Sequence, residues 1–303
     1  MFSNNGLLFL QAVTSIHAGS GSELGLVDLP IQREKHTDYP KIESSSLKGA
    51  IRATVKATVE ATVEKATQAS RLQIVFGKES AENQSDAQAG AISFSDARLL
   101  LFPVKSLRGV FAWVTCPLVL KRFNEELKLY RQESNLLTIP SGEGAFVSSN
   151  TLIVNPRTDR KQVVLEEYTY SVQLTNECQE LASQLAALVF EGIDNGFSDR
   201  LMVLPDDDFV DFVTLSTEVN ARIRINPDTG TVKGTALWYE ENVPPETVFY
   251  SYCFAGNSRI TNQEMMKADE VLSFIKQADV FPACFQLGGN SSLGKGILRR
   301  IWR

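Results

Sequence analysis

The sequence predicts an α+β fold, and three observations carry the prediction. Strand-like alternation and helix-like spacing interleave along all 303 residues. No stretch reads as a linker, so a single domain is expected over 1–303. Hydrophobic residues make up 43% and charged residues 22%, the balance of a globular chain able to bury a substantial core.

The elements follow in order. Gly6 to Ser15 predicts a strand, with Leu8, Leu10 and Ala12 alternating against Phe9, Gln11 and Val13. His17 to Glu23 is rich in Gly and Ser and predicts a loop. Gly25 to Arg33 reads as extended around Pro30, and Pro40 to Ser46 as another loop. Ser44, Ser45 and Ser46 offer three N-caps to a helix from about Leu47 to Ser70. Leu47, Ile51, Val55, Val59 and Val63 recur every four residues there, with Lys48, Arg52 and Lys56 on an adjacent stripe. Glu79 to Gly90 is small and polar and is expected to be mobile. Ala91 to Leu101 predicts a strand, Val110 to Tyr130 a strand or helix pair, Gln132 to Ser149 loops, and Lys161 to Leu174 strands. Glu177 to Gly192 predicts an amphipathic helix closed by Gly192. Glu218 to Phe254 reads as a long hairpin turning at Asn226-Pro227-Asp228-Thr229-Gly230, with Arg222 and Arg224 alternating with Ile223 and Ile225. Gln263 to Ala278 predicts a last helix, before a strand and a glycine-rich tail.

Composition excludes several classes. No apolar run approaches the ~20 residues of a membrane helix, and the first residues lack the basic start of a secretory signal. No membrane partner is expected, and the expected location is the cytoplasm. Cys116, Cys178, Cys253 and Cys284 have no metal or redox spacing and read as buried, reduced core residues. His17 and His36 are the only histidines, too few for a His-rich zinc site. A net charge of −6 argues against a polyanion partner, but the charge is segregated. From Arg98 to Arg131 seven basic residues meet two acidic ones, and no acid follows Gly294. Acid gathers at Asp206, Asp207, Asp208 and Asp211.

Three constellations could carry chemistry. Ser44 to Arg52 places hydroxyls, Lys48 and Arg52 at a helix N-terminus, a plausible phosphate cradle that lacks the Walker A spacing. A capped helix with a solvated basic face is the plain alternative. Gln286 to Gly296 holds four glycines, whose amides could form an anion-binding concavity. His17 and Asp28 flank the glycine-rich loop and could meet across it. Asp28 lies between Val27 and Leu29, where a carboxylate needs a partner or a task. It could hold a divalent metal, or form a salt bridge to Arg33. His17 could instead make a structural hydrogen bond. Glu240 and Glu241 otherwise read as solvated carboxylates.

Together these segments resemble the RAMP superfamily. The N-terminal signature is His17-Ala18-Gly19, Val27 to Glu34 and Ser44 to Arg52. Phe94 to Ser106, Gly109 to Pro117 and Gly234 to Pro244, with the glycine-rich tail, are similar to one subgroup: the backbone subunits of the type III-B (Cmr) CRISPR effector complex. The matches run in family order over nearly the whole chain. This chain has Ser44-Ser45-Ser46 where family members often have Gly-Ser or Gly-Thr.

The resemblance implies an RRM-like (ferredoxin-type) palm over about 1–215 and 251–303, with helical insertions and a projecting β-hairpin thumb over about 216–250. It implies copies stacked head-to-tail along a CRISPR guide RNA, other Cmr subunits as partners, and cleavage of complementary single-stranded target RNA at regular intervals in antiviral defence. Cleavage would need a divalent metal (Mg or Mn) held by Asp28, with attack by the RNA's own 2′-OH. His17 would act in proton transfer or phosphate contact, and Glu240, or its neighbour Glu241, would complete the site. RNA contacts are implied for Arg33, for Ser46, Lys48, Gly49 and Arg52, for Lys105, Ser106 and Arg108, and for Gly288, Gly289, Asn290 and Lys295. The alternative is a non-catalytic, structural RNA-binding subunit. A guide-processing ribonuclease acting through histidine without metal is a weaker third reading.

Overall fold

The computed structural model describes residues 4–22, 25–61, 65–78, 88–157, 160–191, 195–259 and 265–303. In chain order the elements are β1 (Asn4–Ala12), β2 (Lys41–Ile42), α1 (Ser44–Glu60), α2 (Lys65–Phe76), β3 (Gly77–Lys78), β4 (Gln88–Ala89), β5 (Ile92–Phe94), β6 (Ala97–Lys105) and β7 (Phe111–Thr115). Then come α3 (Pro117–Glu126), β8 (Ala145–Val147), β9 (Gln162–Leu165), β10 (Tyr168–Leu174), α4 (Asn176–Val189), β11 (Leu201–Val203) and α5 (Asp206–Leu215). The rest are β12 (Glu218–Ile225), β13 (Val232–Asn242), β14 (Val248–Ala255), α6 (Ala268–Lys276), β15 (Cys284–Gln286) and β16 (Ile297–Trp302). This is the mixed α/β content the periodicities predict. The chain divides into two compact units: Met1–Ala18, Lys41–Arg98 and Tyr250–Arg303 form the first, Gly19–Pro40 and Leu99–Phe249 the second.

In the first unit strands run in the order β15-β16-β1-β14, with β5 added to β14. Every side chain from Leu7 to Ala12 is buried, because β1 lies between two strands and is covered on both faces. The alternation in its sequence therefore does not mark a wet face. Leu47, Ile51, Val55 and Val59 form the buried stripe of α1. Val63, in line with them, lies outside the described residues, as do most of 79–90, Gly192 and the start of the expected last helix.

The three serines do not cap α1. Ser44 to Ser46 are its first turn, and the N-cap residue Glu43 makes no side-chain cap bond. Asp96 caps from outside, its Oδ1 accepting the Ser44 N–H at 2.9 Å. Burial alone would raise the Asp96 pKa. The Ser44 N–H and the Lys41 ammonium outweigh it and hold the carboxyl below its usual range. The predicted helix to Ser70 is shorter, since α1 ends at Glu60 and α2 is separate.

The second unit is a mixed sheet, in the order β6-β7-β11-β8-β10-β9 over its own residues. The β7/β11 and β8/β10 pairs are parallel and the other three antiparallel. Its α3 is capped as α1 is, by a distant aspartate: Asp206 Oδ1 accepts the Leu118 N–H at 2.8 Å. Asp206, Asp207 and Asp208 open α5, a helix not expected from sequence. Acid in a first turn meets the positive end of the helix dipole, and Phe209, Phe212 and Val213 supply the buried face. The expected hairpin is shorter: β12 and β13 pair with each other as a separate two-stranded sheet, while β14 belongs to another.

Cys116, Cys178 and Cys253 are buried, and burial pushes the first two thiols up to about 12. Cys284 is exposed, against expectation, because it lies on β15 at the end of its sheet's strand order.

Candidate active site

Asp28 lies on the irregular segment Gly19–Pro40 of the second unit. That segment is held to β13 as if it were a short extra strand. Leu29 pairs with Glu240 in a parallel bridge. The Leu29 N–H donates to the Tyr239 carbonyl, and the Glu241 N–H donates back to the Leu29 carbonyl, both at 3.0 Å. Beside this bridge the Tyr239 N–H donates to Asp28 Oδ2 at 2.7 Å. Asp28 Oδ1 receives no hydrogen bond from any described residue. One oxygen is thus fixed by backbone, and the other is available. Arg33 does not pair with Asp28.

Glu240 and Glu241 are not solvated. Both are buried, at 3% and 6% exposure, which a carboxylate tolerates only with partners. Glu240 Oε1 lies 3.4 Å from Arg222 Nη2 and from Asn242 Nδ2. Glu241 Oε1 takes Arg33 Nη2 at 2.5 Å and the Thr217 hydroxyl at 2.8 Å, while Oε2 takes the Ile31 N–H at 3.1 Å. Arg33 also donates to the carbonyls of Asp38 and Val213. The next residue, Glu34, is buried and receives Arg122 Nη1 on both oxygens, at 3.0 and 2.8 Å. Sequence reading did not foresee these two anchors.

The β12–β13 hairpin carries Val219, Ile223, Ile225, Val232, Leu237 and Tyr239, all exposed. Ala221↔Tyr239 and Ile223↔Leu237 are cross-strand pairs, so these four share one face. Arg222 pairs with Trp238 on the other face. The turn falls where the sequence puts it, closed by Asn226 N–H to Thr231 O at 2.8 Å.

His17 belongs to the first unit, where its carbonyl accepts the Gly289 N–H at 2.9 Å. Gly288, at φ +90°, stacks so closely on His17 that a Cβ would meet the His17 carbonyl oxygen. Lys295 is half-buried, and Asn290 adopts a left-handed φ of 61°. Two of the basic residues expected at the C-terminus are strand residues in β16, and Arg300 stacks over Phe281 and donates to its carbonyl. On α1, Lys48 Nζ donates to the Ile92 carbonyl at 2.9 Å, and Arg52 Nη2 to the Gly77 carbonyl at 3.2 Å. Burial first, and Arg52 second, push the Lys48 pKa down. Ser46 is half-buried and Gly49 exposed, with open space in front of Gly49. In the second unit Lys105 and Arg108 are exposed, whereas the Ser106 hydroxyl is turned inward to the Val164 carbonyl.

The donor set decides what metal could fit. Among the described residues no three His, Cys, Asp or Glu side chains gather as a metal cage. Mg2+ commonly takes one or two carboxylates and completes its shell with water and substrate phosphate. One free Asp28 oxygen fits an ion shared with a phosphate, and does not fit an ion held by protein alone. Among the described residues no helix is long and apolar enough to cross a membrane.

The mixed sheet and helices agree with the coarse fold expected from the motifs. The chain belongs to the RAMP superfamily, whose family model matches residues 9–299. Within it the chain is 37% identical over 297 residues to the CRISPR system Cmr endoribonuclease Cmr4 of Pyrococcus furiosus, covering 97% of this chain and 94% of that protein. It also superposes on the crystal structure of oligomeric Cmr4 from Pyrococcus furiosus with a TM-score of 0.71 and 30% identity, covering 99% of each chain. A chain of the type III-B Cmr-beta complex bound to cognate target RNA matches at TM-score 0.75 and 25% identity, over 99% of this chain and 98% of that one.

Proposed function

We propose that this chain is a repeating backbone subunit of a type III-B CRISPR ribonucleoprotein, an endoribonuclease that holds a guide RNA and cuts complementary target RNA through Asp28. The observation that carries the reading is the Asp28 carboxylate: one oxygen is fixed by the Tyr239 amide at the root of the hairpin, and the other is unengaged by any described residue. The near full-length similarity to a protein named as a Cmr endoribonuclease supports it. In this reading β12 and β13 form the thumb of about 216–250, and the remainder is an RRM-like palm. Copies of the chain assemble head-to-tail, a heterologous contact that does not close, beside other Cmr subunits. Base pairing reads the target, so the protein needs only shape and backbone contacts.

The cut is an attack of the RNA 2′-oxygen on the adjacent phosphorus. The bond to the 5′-oxygen breaks, leaving a cyclic phosphate and a 5′-hydroxyl. Asp28 orients the attacking hydroxyl, whose proton passes to water while the leaving 5′-oxygen takes one up from water. A divalent ion (Mg2+ or Mn2+) bound at its free oxygen would neutralise charge developing on the phosphate. Glu240 completes the site through its hold on Arg222. Lys48, Gly49, Arg52, the exposed Lys105 and Arg108, and the half-buried Lys295 hold RNA backbone.

A second reading has one observation in its favour: the bond to Tyr239 N–H is also what a purely structural Asp28 would make. Asp28→Asn separates the two, because an amide oxygen keeps that acceptor and loses the charge. In the assembled complex Asp28→Asn and Asp28→Ala should bind target normally and lose cleavage by about 100-fold or more. Cleavage at the parent rate by Asp28→Asn overturns the catalytic assignment and leaves the structural, RNA-binding subunit.

A further inference from the structure

Asp28 is held at one oxygen by the Tyr239 amide, and the ladder pairing of its segment with β13 is one parallel bridge, at Leu29, weak insurance against a slip. A slip of one residue would turn Asp28 to the opposite face. Glu241 removes that freedom. Its Oε2 accepts the N–H of Ile31, two residues past the bridge. Its Oε1 takes the guanidinium of Arg33, two residues further on. Thr217, just before β12, fixes the same oxygen from the other strand of the hairpin. One buried carboxylate therefore ties three points: the Asp28 segment twice and the hairpin root once.

A buried ion pair is a costly way to gain stability, since apolar residues of similar volume often do as well. Specificity of arrangement is the better account of this one. The neighbouring pair, Glu34 with Arg122, anchors the segment to α3. Consecutive residues of opposite sign thus reach two different elements, and neither can be satisfied at the other's anchor.

We propose that Glu241 and Arg33 are positioning residues for target cleavage: their ion pair sets the register of residues 28–33 along β13 and thereby aims the Asp28 carboxylate. The proposal rests on the reading of Asp28 as the catalytic carboxylate. In it Arg33 serves the build of the site in place of an RNA phosphate.

The test uses the assembled complex carrying Glu241→Gln or Arg33→Lys, beside Asp28→Asn. Glu241→Gln keeps shape and loses charge; Arg33→Lys keeps charge and loses the planar fork. Each should cut single-turnover cleavage by about 100-fold, the scale of a misplaced reacting group. Target Kd should change by less than about 3-fold, since none of the residues proposed to hold RNA backbone is altered. The Leu29 and Glu241 amides should exchange hydrogen faster than in the parent. The reversed double variant, Arg33→Glu with Glu241→Arg, should recover part of the rate that either single change loses. If Glu241→Gln does not assemble, Thr217→Val, which removes one bond to Oε1, carries the same test together with Arg33→Lys. Parent-rate cleavage by Glu241→Gln and Arg33→Lys beside an inactive Asp28→Asn overturns the positioning role alone. Target binding that falls in step with the rate also overturns it, because that marks general unfolding. Parent-rate cleavage by Asp28→Asn overturns the reading on which the proposal stands.

Discussion

The β12–β13 hairpin and the segment from Gln286 to Gly296 turn the chain in opposite ways. The hairpin has regular backbone pairing and leaves apolar side chains in the open, with Ile223 at 49% and Leu237 at 52% exposure. The glycine-rich segment packs its backbone tightly where Gly288 and Gly296 stand. Gly296 N–H donates to Ser15 O, Gly289 N–H to His17 O, and Leu287 N–H to Gly296 O, each at 2.9 Å. Each inverts the usual reading of its composition. Glycines that suggest a ligand loop are needed by the fold itself, and alternating Ile and Leu that suggest a buried strand are not buried. A Gly-rich loop is then weak evidence for a ligand until backbone packing has been subtracted. An apolar ribbon left exposed calls for a partner.

Gly296 offers the most severe break. It has φ +77°, and a Cβ there would run into the Leu287 carbonyl oxygen, which belongs to backbone and cannot swing away. Gly296→Ala should cost about 3 kcal/mol, combining left-handed strain with a backbone clash. Denaturant unfolding of the variant measures it. A loss below about 1 kcal/mol would mean the segment relaxes easily, and the contrast with the hairpin would dissolve.

Gly230, in the hairpin turn, gives the intermediate case. Its φ is +65°, yet nothing lies within 4 Å of a Cβ built there. Gly230→Ala should therefore show the left-handed penalty alone, about 1 kcal/mol. The same unfolding measurement separates the two. Equal losses at Gly230 and Gly296 would show that conformation dominates and packing adds little.

Much of this architecture could be read ahead, and the failures have physical causes. The α1 stripe and the turn at Asn226–Gly230 were legible because each depends on local spacing. The α1 cap was not, because Asp96 reaches Ser44 from 52 residues away. Helix α5 escaped notice because its first-turn acids look like a solvated cluster unless they are read as dipole partners. At the candidate site, Asp28 stood out as a carboxylate between Val27 and Leu29. Its anchor did not, since Arg33 and Glu241 lie 208 residues apart and no periodicity links them. Whether Glu240 or Glu241 belongs with Asp28 could not be told from two adjacent, identical letters. Strand geometry separates them, one toward Arg222 and one toward Arg33.

The smallest effect on stability is expected where the hairpin is most apolar. Ile223 and Leu237 face each other across the strands and are half exposed. Replacing either by Thr keeps a good strand former and removes surface that water already reaches. Ile223→Thr and Leu237→Thr should each change unfolding free energy by no more than about 0.5 kcal/mol, the range of ordinary surface substitutions. A loss of 2 kcal/mol or more, typical of a buried position, would mean that this face is covered by protein in the folded chain. If stability holds while target binding by the assembled complex weakens, the exposed face is a contact surface, and its apolar character is explained by what it touches in the complex.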